Sequence, residues 1–245
     1  MKESVTPYAN EESKKRQVSK MFNKIAPYYD FLNRLLSLGI DTIWRKKAIA
    51  ELNPQEHRRI LDVATGTADV ALETKRQLPQ VKHITGLDIS AEMLAIGREK
   101  IARKGWTETI TLVEGDSEKM DFPSNSFDAV TVAFGVRNFE NLEAGLTEIA
   151  RVLRPGGKLV VLEFSHPTAF PFKQLFNFYF KYILPLIGRV TSKDPKAYRY
   201  LYESVQAFPG GTQFTAILDQ IGYKQCTCKP LTFGICSIYT GVKAG

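Results

Sequence analysis

The sequence predicts an α/β protein: a doubly wound, mostly parallel sheet with an antiparallel C-terminal hairpin strand, N-terminal helices and a helical insertion. Two observations carry that expectation. Between residues 58 and 165, five short and nearly continuous apolar runs alternate with stretches of helical periodicity, the pattern of strands buried on both faces. Beyond residue 203, a helical stretch precedes two strand-type runs close together, which pair antiparallel when the connection is short. Composition agrees. A chain of 245 residues, 44% hydrophobic and 24% charged, buries a substantial core and suits neither a disordered nor a fibrous protein.

From the N-terminus, Val18, Met21, Phe22 and Ile25 repeat at i, i+3, i+4, i+7 and predict an amphipathic helix. Its polar face carries Lys14, Lys15, Arg16, Lys20 and Lys24. Strands are expected at 59–63, 84–87, 110–113, 129–134 and 158–164, with helices near 68–78, 91–104 and 141–153. Ser90 stands at an N-cap, ahead of Met93, Leu94 and Ile101 on the apolar side of its helix. Pro155-Gly156-Gly157 reads as a sharp turn into the fifth strand. Phe170, Phe172, Phe176, Phe178, Tyr179, Phe180 and Tyr182 crowd an insertion helix bounded by Pro171 and Pro185. A helix at 211–221 and strands around 223–229 and 235–242 close the chain. No run is long and apolar enough to cross a bilayer, and the first twenty residues lack the apolar stretch of a secretory leader. The three cysteines, all at or beyond Cys226, make no disulfide framework. A reducing, cytoplasmic setting is therefore expected.

Ligands of open α/β sheets bind beyond the carboxyl ends of the strands. The turn after the first strand reads Asp62-Val63-Ala64-Thr65-Gly66-Thr67-Ala68-Asp69, and Asp88 ends the second strand 22 residues after Gly66. That spacing suits a ribose-binding acid. Ala64 and Ala68 stand where a dinucleotide site carries glycines. A diphosphate needs backbone N–H groups at close approach, and a ligand without phosphates needs less. S-adenosylmethionine (SAM) is therefore expected over NAD. Gly115-Asp116-Ser117 follows the third strand, where Asp116 can accept a hydrogen bond from an adenine amino group.

The series LDVATGTADVA, GLDIS, GDSEKMDFPSNSFD and LRPGGKLVVLEFS resembles the class I SAM-dependent methyltransferases, whose sheet is Rossmann-like. The flanks MFNKIAPYYDFLNRLLSLGIDTIWRKK (21–47), AFGVRNF (133–139) and AYRYLYESVQAFPGG (197–211) resemble the C-methyltransferases of menaquinone and ubiquinone biosynthesis. With them the likeness covers almost the whole chain. The first turn is closer in wording to the demethylmenaquinone enzymes than to those acting on benzoquinols. The resemblance implies that Thr67, Asp88, Asp116 and Ser117 contact SAM, and Gly66 and Asp62 complete the candidate cofactor set. It also implies that the Tyr29-Asp30 pair faces the acceptor, Tyr29 hydrogen-bonding it and Asp30 taking part in proton removal. Four segments follow: 1–57, a helical acceptor-binding lid; 58–165, the SAM-binding core; 166–203, a helical aromatic-rich insertion; and 204–245, the helix and hairpin completing the sheet.

Methylating a ring carbon requires that carbon to be nucleophilic. No cysteine precedes Cys226, so an enzyme-thiolate adduct is not expected and the acceptor should itself be electron-rich. A hydroquinol fits, because ionising a hydroxyl pushes charge onto the adjacent carbon. That ionisation costs about 4 kcal/mol at neutral pH. Arg137, after the fourth strand, and Asn138 beside it are the candidates to bind and polarise the acceptor oxygen. An arginine stays protonated and is not assigned as a base. His166 ranks below Arg137. Cys226-x-Cys228 has no accompanying histidine or second cysteine pair, so no metal is expected.

A polyprenyl tail, which the resemblance implies for the naphthoquinol acceptor, does not leave the bilayer for water. Peripheral association with the inner face of the cytoplasmic membrane is expected, through 170–187 and the helix carrying Met21 and Phe22. The net charge of +7 supports this. Residues 51–165 carry −4, while 1–50 carry +5 and 166–203 carry +4, a basic collar on an acidic core. A homodimer is compatible with the sequence. Three rival readings stand beside this one: methylation of a 2-methoxy-6-polyprenyl-benzoquinol, a non-catalytic quinol-binding component of a biosynthetic assembly, and an NAD-dependent oxidoreductase. Nucleic acid is not an expected partner, because AFGVRNF is not a base-amine signature and basic residues do not interleave the aromatics.

Overall fold

A computed structural model describes every residue except 1–4, 9, 168, 180–181 and 183–194. Seven strands form one sheet in the order β3-β2-β1-β4-β5-β7-β6. They are β1 (Arg59–Val63), β2 (His83–Asp88), β3 (Ile110–Glu114), β4 (Phe127–Ala133), β5 (Leu153–Phe164), β6 (Tyr223–Leu231) and β7 (Cys236–Lys243). The first five run parallel, and β7 lies antiparallel between β5 and β6. The expected α/β architecture with its hairpin is what forms.

Alternation along the strands sends neighbours to opposite faces. Ile60 and Ile84 pack with Ala71 of α3 (Asp69–Gln77) and with Trp44 and Ala48 of α2 (Ile40–Ile49). Leu61 and Val63 pack on the other side against Leu146 and Ile149 of α5 (Leu142–Val152). On that side too lie Phe214 and Leu218 of α8 (Thr212–Ile221). Ser90 caps α4 (Ala91–Arg103), its Oγ accepting from Met93 N at 3.3 Å. Asn141 does the same for α5, accepting from Ala144 N at 3.0 Å.

Two local expectations change. The Pro155-Gly156-Gly157 turn is a bulge inside β5, which pairs Leu153 with Phe127 and Lys158 with Ala129. Gly156 has φ +75° there, and a Cβ on Gly157 would lie 2.8 Å from the Arg154 carbonyl oxygen. The N-terminal amphipathic helix is also longer than its apolar repeat, running as α1 from Lys14 to Leu36 through Pro27.

A third cluster sits at the carboxyl end of the sheet. Val18, Met21 and Leu32 of α1 meet Phe176 of α6 (Phe172–Phe178) and Ala197, Tyr200 and Val205 of α7 (Pro195–Ala207). Met21 and Phe176 are buried in it, so neither is the membrane contact the sequence suggested. An apolar stripe buries equally well against a neighbouring helix. Phe180 and Pro185 lie outside the described residues.

Candidate active site

The strand order reverses between β1 and β4, so the chain leaves their carboxyl ends in opposite directions and opens a crevice. Two cavities occupy it, and Phe22, Tyr29, Phe134 and Asn138 line both.

The smaller cavity, about 70 Å³, is walled by the turn after β1, by Asp88 and Ile89, and by Gly115–Glu118. In the turn, Ala64, Gly66 and Ala68 all take left-handed backbone conformations, at φ 54°, 56° and 65°. For each alanine this costs about 1–2 kcal/mol. Gly135 leaves room for the turn, since a Cβ there would lie 2.6 Å from the Ala64 Cβ. Asp62 braces it from beneath, accepting from Thr65 Oγ1 at 2.6 Å and Thr131 Oγ1 at 2.7 Å. Burial pushes the Asp62 carboxyl up to about 6. Both its oxygens face the protein and it does not line the cavity.

Asp88 does line it. Oδ2 accepts from Gly66 N at 2.7 Å and Oδ1 from Ser90 N at 2.9 Å. Burial raises its pKa, and these backbone donors oppose the rise. A carboxylate oxygen has two lone pairs, so both keep capacity for a pair of ligand hydroxyls. Asp116 and Ser117 line the opposite wall. Asp116 accepts from Glu118 N at 2.9 Å and pairs with Lys15 of α1 at 2.5 Å.

That pairing revises the charge reading. Part of the basic face of α1 is turned inward across the site. Lys14 Nζ donates to the carbonyls of Arg137 at 3.1 Å and Phe139 at 2.8 Å. Burial, with Arg137 nearby, lowers its pKa to about 8. The donor and acceptor set fits SAM: carboxylates for a ribose diol and an amine, and a turn without a diphosphate cradle. Small-molecule sites have volumes of about 300–1,000 Å³. The smaller cavity lies below that range, with Lys15 of α1 paired to Asp116 across it.

Two sequence candidates face elsewhere. Thr67 Oγ1 donates to Asp30 Oδ1 at 2.5 Å and accepts from Lys100 Nζ at 3.1 Å. Lys100 also pairs with Asp30 at 2.9 Å and with Asp69. Neither Thr67 nor Asp30 lines either cavity; the two are joined to each other instead. The reason is helical phase: successive residues on α1 point about 100° apart, so Tyr29 reaches the cavities while Asp30 faces α4.

The larger cavity, about 570 Å³, is mostly apolar, walled by α1, α2, α6 and α7 with Trp44, Phe134 and Phe164 at its base. Phe134 lies in the left-handed region at φ 58°, an uncommon place for a bulky residue. Its ring is tilted by 37° against that of Phe164, with centroids 4.7 Å apart. Arg137 stands in the 3-10 turn Val136–Asn138 after β4. Its Nη1 donates to Phe134 O at 2.7 Å and to Glu163 Oε1 at 2.6 Å. The guanidinium carbon lies 5.5 Å over the Phe164 ring, and the buried Nε has no partner. Glu163 is fully buried; desolvation raises its pKa while Arg137 pulls it down. Asn138 accepts from Tyr200 OH at 3.1 Å. Burial raises the Tyr29 phenol, partly offset by a hydrogen bond with Asn33 and by Arg45 and Arg137.

Glu163 and Tyr200 were not singled out from the sequence. Glu163 had a signal: one charged residue in the run LVVLEF must find a partner if that strand is buried. Tyr200 had none, its segment being aromatic throughout. His166 contacts the Val205 carbonyl at 2.9 Å and lines neither cavity. Among the described residues no three His, Cys, Asp or Glu side chains gather as a metal site, and no helix is long and apolar enough to cross a membrane.

Comparison with known proteins bears on the whole chain. The model of the ubiE/COQ5 methyltransferase family matches residues 10–243. A demethylmenaquinone methyltransferase of Bacteroides fragilis is 46% identical over 241 residues, 98% of each chain. The ubiquinone/menaquinone biosynthesis C-methyltransferase UbiE of Geobacter sulfurreducens is 46% identical over 239 residues, covering 98% of this chain and 93% of that one. Among solved structures, a SAM-dependent methyltransferase from Aquifex aeolicus superposes with a TM-score of 0.59 at 17% identity, over 82% of this chain and 89% of that one. Human N-acetylserotonin methyltransferase in complex with SAM superposes at 0.61 with 18% identity, over 88% and 55%. Both share the fold.

Proposed function

Because the chain belongs to the ubiE/COQ5 methyltransferase family, we propose that it methylates a ring carbon of demethylmenaquinol to give menaquinol, with SAM as methyl donor. The observation that carries this reading is the pair of adjoining cavities. One is lined by carboxylates and a phosphate-free turn; the other is apolar with a buried guanidinium at its base. When bound, SAM supplies an electrophilic methyl group. The protein must then make the ring carbon nucleophilic.

Arg137 takes that role by holding the acceptor hydroxyl, since a cation within a few ångströms lowers such a pKa by about 1–3 units. Glu163 fixes the guanidinium in place. Two of its five N–H groups are spent on Glu163 and the Phe134 carbonyl. Tyr29 and Asn138, lining both cavities, orient the ring between them. Asp30 is held by Lys100 and Thr67, so the proton goes to water. A prenyl tail longer than the cavity keeps the protein at the inner membrane surface as a peripheral enzyme.

Incubation with SAM and demethylmenaquinol, beside a 2-methoxy-6-polyprenyl-benzoquinol, tests the reading by mass spectrometry. A gain of one methyl on the naphthoquinol, at least tenfold faster than on the benzoquinol, is expected. Preference for the benzoquinol would favour the ubiquinone reaction. No gain on either would leave a quinol-binding component of an assembly.

A further inference from the structure

We propose that an exposed apolar face formed by α1, the turn after it and the outer side of α6 docks on an anionic lipid surface, so that the larger cavity opens into the bilayer. This rests on the tailed-acceptor reading and deepens it by naming the surface. Tyr28, Phe31, Leu35 and Leu38 are 52%, 62%, 40% and 83% exposed. Their spacing of three, four and three residues lines them along one side of the helix and into the turn. Leu175 and Phe178 of α6 are 60% and 55% exposed.

Leu38, Leu175 and Phe178 also line the larger cavity. The same side chains therefore bound the cavity inside and meet solvent outside, which places its mouth among them. A cavity of about 570 Å³ falls within the about 300–1,000 Å³ of a site for a drug-sized ligand. It holds a bicyclic ring and the start of a chain, so a longer chain leaves through this mouth. An apolar rim there lets the chain pass without crossing water.

The charges beside the rim select the kind of lipid. Lys47 lies four after Ile43, itself 51% exposed on α2, and Lys173 is on α6; both lysines are exposed. The acids on these elements are occupied: Asp30 with Lys100, and Asp41 with Arg45. Exposed apolar side chains with exposed lysines on the same or neighbouring elements suit a surface of anionic headgroups over acyl chains. The elements are the ones the sequence suggested, the N-terminal helix and the 170–187 stretch, but the side chains differ, since Met21 and Phe176 are buried.

Sedimentation of the full chain with vesicles tests this. Wild type should pellet with vesicles containing anionic phosphatidylglycerol and less with purely zwitterionic ones, and the difference should shrink as salt is raised. The double variant Phe31→Ser/Leu35→Ser, outside both cavities, should partition at least tenfold more weakly while SAM affinity is unchanged. Equal pelleting of variant and wild type would overturn the proposal. Should the double variant fail to fold, Phe31→Trp decides. Its added fluorescence should be quenched by vesicles with brominated acyl chains, and absence of quenching overturns the proposal. If wild type is a dimer that the double variant converts to monomer, the face is an interface between copies and the lipid proposal is wrong. Methylation in detergent is read separately, so loss of either reading leaves the other interpretable.

Discussion

The two cavities are built in opposite ways. The smaller one takes its carboxylates from short segments at the carboxyl ends of parallel strands, at Asp88 and 115–118, and is closed by α1 and by residues of 133–140. The larger one draws on α1, α2, the 3-10 turn, α6, α7 and the 232–235 connection, far apart in sequence. Their polar groups differ as well. Asp88 is held by backbone N–H groups, which no side-chain substitution removes. Arg137 is held largely by one buried partner, Glu163. A ligand site at strand ends is a product of topology, whereas an apolar chamber with a buried ion pair is a product of packing and is correspondingly fragile.

The largest effect that would break this contrast is expected at the ion pair. Arg137→Ala leaves the Glu163 carboxylate buried and uncompensated, which costs about 3–5 kcal/mol of stability. Turnover should fall by about 10²-fold or more, as when a positioned charge is removed. SAM affinity should hold within twofold. The double variant Arg137→Met/Glu163→Gln should recover most of the stability and none of the turnover. Denaturant titration, steady-state rates and calorimetry separate these outcomes. If SAM affinity fell as far as turnover in Arg137→Ala, the cavities would not be separable.

Next in size is the mirror experiment. Asp88→Ala should weaken SAM binding by about 30–100-fold, equivalent to about 2–3 kcal/mol. The Michaelis constant for the acceptor should hardly move. Calorimetry with SAM and initial rates at saturating SAM check both halves. A change confined to the acceptor constant would remove Asp88 from the cofactor role.

An effect of similar size, read in stability rather than in binding, concerns the support of the turn after β1. The folded Asp62 carboxyl is raised to about 6 from 3.8, so the folded state binds the extra proton between those values. Its contribution to stability therefore falls as pH rises from about 4 to about 6, by about 2–3 kcal/mol. Denaturation from pH 4.5 to 7 should show this slope, and Asp62→Asn should flatten it. An unchanged slope in the variant would mean another group is responsible.

Much of the fold was legible because strand and helix periods are local. RILDV, ITGL and AVTVAF announce buried strands wherever they fold, and Ser90 caps its helix by a bond spanning three residues. The lining of the smaller cavity was legible for a related reason. Once five strands run parallel, residues just after them share one edge, so Gly66, Asp88, Asp116 and Ser117 arrive together at a single cavity. Asp62 and Thr67 come from the same turn yet point away. A strained turn spends side chains on its own support, and no spacing rule shows which ones. Arg137, Asn138 and Tyr29, which motif reading picks out, line the larger cavity, while Asp30 does not, because one residue of helical phase separates a cavity from an ion network.

The sequence by itself determined the class of sheet, the edge at which the crevice opens, and two of the acids that line the smaller cavity. These follow from hydrophobic period and strand direction. Only the tertiary structure decided that part of the lysine face of α1 turns inward onto Asp116 and the Arg137 carbonyl, that Glu163 holds Arg137, and that Phe31 and Leu38 meet solvent while Met21 does not. Helical periodicity defines two faces of a helix, but which face finds a partner depends on elements that pack from distant parts of the chain.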